Sequence, residues 1–253
     1  MDDIAQALNV QSLNTALYRP FIENDDDDDL TIMNDSDPDS QFFRQFTHIV
    51  SQIYDIDTFN SMLIPTNSFS ILHQNICSVS KNIDNLTTFL STITHNFPII
   101  ALTETWINDL NQNNVSIHGY SHTYEYRQNR TGGGVSIFTK NNIIHTKRTD
   151  LCVITDNLEC VFIEINKSTF FESRNLIIGA VYRPPDTPIN AFLENFGPLL
   201  TVIQRENKPC FITGDFNINL LNISEHQPTQ DFMDLIYSNS LFPLIHRPTR
   251  PSS

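Results

Sequence analysis

No stretch of this sequence stays apolar for long. Each hydrophobic run meets a polar residue after a handful of positions, far short of the roughly 20 residues that a membrane-spanning helix needs. The basic, then strongly apolar, leader of a secreted chain is missing too, since the chain opens MDDIAQALNV. These absences predict no membrane partner and an intracellular location, nuclear or cytoplasmic. Cysteine is sparse: Cys77, Cys152, Cys160 and Cys210 show neither CxxC spacing nor an accompanying His pair. A zinc site therefore has no support, and the thiols read as small packed hydrophobes in a reducing compartment. N-x-S/T triplets begin at Asn85, Asn114, Asn129, Asn166 and Asn222, but without a secretory leader they carry no weight.

Basic charge is also short, with 15 Lys and Arg against 29 Asp and Glu and a net charge of −14. The deficit is uneven. Residues 1–66 hold 13 acids and 2 bases, whereas residues 67–253 hold 16 and 13. No strong basic footprint announces a nucleic-acid partner, yet the near-neutral remainder can bind a polyanion through a local patch aided by divalent cations.

What is present falls into three parts. The runs NDDDDDL at 24–30 and NDSDPDS at 34–40 carry too few apolar side chains to offset the entropy of ordering, so residues 1–40 read as an acidic disordered segment. Residues 41–66, with the aromatic-rich QFFRQFTHIVSQIYDIDTF, read as a linker or short helix. From 67 to 253 strands alternate with helices, the pattern of a mixed α/β domain. FSILHQN (69–75), PIIALTE (98–104), IIHTKR, LECVFIEI, NLIIGAVY and CFIT read as strands. KNIDNLTTFLSTITH (81–95), INAFLENFGPLLTVIQRE (189–206) and a segment around QDFMDLIYSNS carry helical spacing, the second kinked or split at Gly197-Pro198. Residues 105–131 read as a polar loop. No internal repeat is visible.

Four of the strands end in polar groups that suit a single chemistry. These are Asn75, Glu104, Tyr182 followed by Arg183-Pro184-Pro185, and Gly214 followed by Asp215 and Asn217. Polar strand ends can converge at one sheet rim, where α/β proteins often place sites. A glutamate is a hard oxygen ligand for magnesium. An aspartate can orient or deprotonate water, and amide and phenol groups can donate to phosphate oxygens as charge builds. Together they suit metal-assisted phosphodiester hydrolysis. Gly214 would let the backbone turn sharply. Each residue has a plainer reading: strand-end acids are commonly turn residues, Tyr182 a half-buried aromatic, and His73 a core or ladder residue. The triple glycine at 132–134 reads as a flexible start to a hairpin, since no P-loop pattern surrounds it.

The ordered set QNI (74–76), LTETW (102–106), GGGVSIF (132–138), VYRPP (181–185) and GDFN (214–217) resembles the endonuclease/exonuclease/phosphatase superfamily. More narrowly, it is similar to the apurinic-type endonuclease domain of non-LTR (LINE-like) retrotransposons. The resemblance spans about residues 50–250. It implies a four-layer α/β sandwich, two mostly antiparallel sheets face to face with helices outside, and a DNA nick dependent on magnesium or manganese. It also implies a downstream reverse transcriptase as a possible partner. In that frame Glu104 is the metal ligand and Asn75 sits beside metal and phosphate. Tyr182 touches the scissile phosphate, Asp215 aligns the attacking water, and Asn217 supports the transition state.

The family pattern continues past GDFN with a Thr/Ser-rich strand bearing an aspartate and a later Ser-Asp-His triplet. Neither has a counterpart here; His226 and His246 lie in no matching motif and receive no catalytic role. The expectation is therefore a truncated domain lacking its last strands, with impaired hydrolysis, since loss of a general base costs on the order of 10²–10⁴ in rate. The alternative is a catalytically inactive retroelement remnant acting at most as a binding or interaction module. A narrower alternative keeps the fold and changes the substrate to a sugar or lipid phosphate.

Overall fold

Residues 14–19, 53–64, 69–128, 130–169 and 173–245 are described in a computed structural model of the chain. The strands that read as continuous Ile/Val/Leu runs are those with both faces covered, as expected when a sheet has layers on either side. They build two sheets. The first holds β1 (Asn14–Arg19), β6 (His145–Lys147), β7 (Val153–Ile154), β8 (Glu159–Ile165), β9 (Leu176–Tyr182), β10 (Cys210–Asp215) and β11 (Phe242–Pro243), in the order β11-β1-β10-β9-β8-β6, with β7 also on β8. The second holds β2 (Ile71–Asn75), β3 (Ile99–Thr103), β4 (Tyr120–Glu125) and β5 (Val135–Lys140), in the order β2-β3-β5-β4. Each sheet has one parallel pair, β9 with β10 and β2 with β3, among antiparallel neighbours.

The period-two alternation of the strands sorts the core into layers. Ile99 and Ala101 of β3, Val161 and Ile163 of β8, and Ile178 and Ala180 of β9 pack together between the sheets. The alternate residues face outward. Ile100 and Leu102 join Leu86 of α2 (Val79–Thr92), while Phe162, Val181 and Ile212 join Phe192 and Phe196 of α3 (Ile189–Arg205) and Phe232 of α4 (Gln227–Ser238). The result is a helix, sheet, sheet, helix sandwich, as the resemblance implied. A short α1 (Ile56–Ser61), capped by Asp55 accepting from the Thr58 amide at 2.7 Å, precedes β2.

Several expectations change. The polar stretch 105–131 contains a full strand, β4, whose six residues are half-buried. Its Tyr, His and Thr side chains put polar tips on an apolar body, so no apolar run marks it. The helix read across Gly197-Pro198 is not split: α3 runs through Pro198 unbroken. Within the front segment read as disordered, Asn14–Arg19 pairs antiparallel with β10 and β11; the other residues of 1–40, and 41–52, lie outside the described residues.

Candidate active site

Register brings the functional groups to one rim. Glu159 of β8 lies opposite Tyr182 of β9, which lies opposite Asp215 of β10, so one rung crosses three strands. In the other sheet, Asn75 ends β2 opposite Thr103 of β3, and Glu104 follows directly. The sheets meet at this edge. Asn75 Nδ2 donates to Glu104 Oε1 at 2.7 Å and to Asp215 Oδ2 at 2.9 Å. Its Oδ1 accepts from the Cys77 amide at 3.2 Å and the Cys77 thiol at 3.3 Å, which fixes the amide's orientation. Asn75 and Asp215 are both buried.

Tyr182 lies beside the same acids, on the rung it shares with Glu159 and Asp215. Burial first, then the negative charges of Glu104, Glu159 and Asp215, drives its phenol pKa far above the ordinary value. The phenol thus stays a neutral O–H donor throughout the physiological range. All five residues expected at the site, Asn75, Glu104, Tyr182, Asp215 and Asn217, are brought together here, four through side chains and Asn217 through the loop that follows Asp215.

That loop is built differently from the sequence-based expectation. Gly214 is not the turning residue; it sits inside β10, where an added Cβ would fall 1.8 Å from the Val181 carbonyl oxygen of the neighbouring strand. The left-handed residue is Asn217, at φ 49°. Its amide donates to Asp215 Oδ1 at 3.1 Å and its Nδ2 to the Arg183 carbonyl at 2.7 Å. Arg183, 4% exposed, returns the contact: Nε donates to Phe216 O at 2.6 Å and Nη2 to Asn217 O at 2.5 Å, while Nη1 reaches Thr187 O. A guanidinium whose donors are spent on backbone carbonyls holds this loop in shape. Burial pulls its pKa below the ordinary value, with the Asp215 charge opposing.

A second network carries no motif in the sequence. Glu159, fully buried, accepts from the Gly134 amide and pairs with Arg127. Burial raises its carboxyl pKa against the pull of the Gly134 amide and Arg127. Gly132, Gly133 and Gly134 all take positive φ, and a Cβ on Gly133 would lie 2.4 Å from Glu159 Oε1. The triple glycine does not start a hairpin as expected: it ends the connection from β4 to its antiparallel partner β5, as a fixed turn that lets Glu159 lie against the backbone. One sequence signal could have found it: an acid at the start of the mostly apolar strand LECVFIEI, whose other acid, Glu164, lies near its end.

The donor set fits a hard divalent cation. Glu104 and Asp215 offer carboxylate oxygens that converge on the Asn75 Nδ2, and magnesium completes such partial oxygen shells with water and phosphate oxygens. No group of three or more His, Cys, Asp or Glu that could hold a metal by itself occurs among the described residues.

Two mixed sheets packed face to face, with helices outside and polar strand ends on one rim, form the α/β sandwich of nuclease- and phosphatase-type hydrolases. The sequence profile of the Endonuclease/Exonuclease/phosphatase family matches residues 22–249, and the chain belongs to that family. Among solved structures, an AP endonuclease from Leishmania major has 14% identity and a TM-score of 0.55, over 78% of this chain and 74% of that one. A 3' phosphatase, NExo, from Neisseria bound to a product DNA hairpin is similar at 15% identity and TM-score 0.44, over 66% of this chain and 71% of that one. The Xenopus laevis APE2 catalytic domain stands at 16% and 0.44, over 66% and 67%. No curated protein matches the sequence.

Proposed function

We propose that this chain is the endonuclease domain of a non-LTR retroelement, which hydrolyses a DNA phosphodiester with the help of magnesium or manganese. The observation that carries the reading is the meeting of groups from both sheets around Asn75, with Glu104 at 2.7 Å and Asp215 at 2.9 Å. Glu104 would hold the cation, which would supply Lewis-acid stabilisation of charge on the phosphate oxygens. The chain's own residues do the rest. Asp215, held by Asn75 and the Asn217 amide, aligns a water and takes its proton. Tyr182, kept protonated, donates to a non-bridging oxygen, and Asn217 donates to the oxygens as charge builds. The motif order and the DNA-acting relatives favour DNA over a sugar or lipid phosphate as substrate.

The 253 residues contain no Ser-Asp-His triplet, and we propose that an extension carrying that motif nicks faster than the polypeptide alone. The test is plasmid nicking with magnesium, using both this chain and the extended one. Glu104→Gln and Asp215→Asn should each slow the extended chain by about 10²-fold or more. Undiminished nicking by both variants rejects the site. DNA binding with no nicking by either chain would instead support an inactive remnant.

A further inference from the structure

The chain's single tryptophan, Trp106, stands two residues beyond Glu104 and is 42% exposed. A half-exposed aromatic is ordinary by itself; its backbone is not. Trp106 takes φ 54° and Glu104 φ 52°, a left-handed conformation that bulky side chains avoid unless the surroundings impose it. The surroundings do so from two sides. The Trp106 and Thr105 amides donate to Gly133 O at 2.9 Å and Gly134 O at 3.2 Å. From the α2 side, the Ser78 and Val79 amides donate to Glu104 O and Thr105 O, both at 2.8 Å. The Trp106 carbonyl accepts from Asn111 Nδ2 at 3.3 Å. A large flat ring, partly open to solvent, is thus held on a fixed backbone beside Glu104.

The indole Nε1 lies 4.0 Å from where a Cβ on Gly132 would sit. Two residues before Gly132, Arg130 lines an open groove of about 580 Å³ of mixed charge, with Arg127 and Gln128 and the acids Glu125 and Asp156. Arg127 is committed to buried Glu159, whereas Arg130 is 56% exposed and pairs at 3.2 Å with Asp156, itself 88% exposed. An exposed pair of this kind is weak and screened by salt, so a phosphate can replace Asp156 at little cost.

We infer that Trp106 and Arg130 form a strand-binding subsite flanking the scissile position, where an unpaired DNA base stacks on the indole and a neighbouring phosphate engages the guanidinium. Aromatic rings serve as sequence-tolerant platforms for unstacked bases, and a basic groove beside them tracks the backbone. The inference rests on the proposed nuclease reading for its substrate. It gives the site a preference for DNA whose strand is locally opened at the cut, and it explains why a rim residue is held so firmly without joining the core.

Because Trp106 is the sole tryptophan, its fluorescence reports on the subsite without any turnover. The full chain, in chelator, is titrated with a fluorophore-labelled duplex carrying a short unpaired segment and with the matched, fully paired duplex. Labelled-DNA anisotropy follows binding, and tryptophan emission follows stacking. The expected result is emission quenching on binding and tighter binding of the opened duplex. Trp106→Ala should weaken that binding about 5- to 150-fold, the range for a stacked base, while Trp106→Phe retains most of it. Arg130→Gln should reduce the slope of log affinity against log salt by about 0.7 to 0.9. Unchanged emission at saturation, no binding, or equal affinity of wild type and a folded Trp106→Ala protein overturns the inference. Nicking assayed separately with magnesium can fail while the quench persists, or persist while the quench fails, so failure of the subsite is distinguishable from failure of the nuclease reading.

Discussion

Asn75 and Asp215, at the ends of strands in different sheets, are joined by a 2.9 Å hydrogen bond. The same amide nitrogen donates to Glu104 at 2.7 Å. One side chain therefore sets the spacing of the two acids that the proposed chemistry uses, and it couples the fold's central packing to the site.

Replacing Asn75 by Leu removes the shared donor from both carboxylates. A nicking rate lower by about 10²- to 10³-fold is expected, the effect of deleting one well-placed donor. Depriving buried Asp215 of that hydrogen bond should also cost about 1 to 3 kcal/mol of stability. Single-turnover nicking and urea unfolding measure the two effects.

Arg183 is the support of the Asp215–Asn217 loop, because its donors reach the Phe216, Asn217 and Thr187 carbonyls. Arg183→Lys keeps the charge but cannot span the fork of acceptors. It should lose roughly 2 to 4 kcal/mol of stability, since buried carbonyls are left without partners. A thermal melt within a degree or so of wild type would remove this role from Arg183.

Gly133 and Gly119 both take positive φ, at 67° and 85°, but differ in what an added methyl meets. At Gly119 nothing lies within 4 Å, so Gly119→Ala should cost only the backbone strain, about 1 to 2 kcal/mol. At Gly133 the Cβ would fall 2.4 Å from Glu159 Oε1 and 2.9 Å from Arg127 Nε, adding collision with a buried ion pair. Gly133→Ala should be clearly the more destabilising of the two in parallel melts.

Two half-buried histidines make stability depend on pH. Burial holds His73 down to about 3 and His122 down to about 4, the latter stacked on Phe138 at 4.2 Å. Both are below the ordinary 6.5, so the unfolded chain binds protons that the folded chain refuses. Stability is then full above about pH 6.5 and falls as pH drops toward the folded values, by up to about 1.4 kcal/mol per pH unit for each histidine. Between about pH 7 and about pH 5.5, His122→Gln should lose roughly 1 kcal/mol less than wild type in urea unfolding.

Much of this architecture is legible in the sequence because its strands are covered on both faces. Runs such as NLIIGAVY therefore stand out without periodicity analysis, and polar residues at their ends mark the rim. β4 is hidden in the sequence since Tyr120, His122 and Tyr124 are half-buried with polar tips, giving no apolar run. The Glu159 and Arg127 pair and the grip of Arg183 on its loop depend on strand register and on contacts between distant loops, which no local pattern encodes. Gly214 stands out in the sequence as a conformational break, whereas what requires glycine there is closeness to Val181.

The central claim is that Glu104 and Asp215, from opposite sheets, act on one phosphate. The most direct measurement is the magnesium-dependent single-turnover nicking rate of the extended chain as wild type, Glu104→Gln, Asp215→Asn and the double variant. Residues working as a unit are strongly non-additive, so the double variant should be little slower than the slower single. Multiplicative losses, or full activity in both single variants, would contradict a shared site.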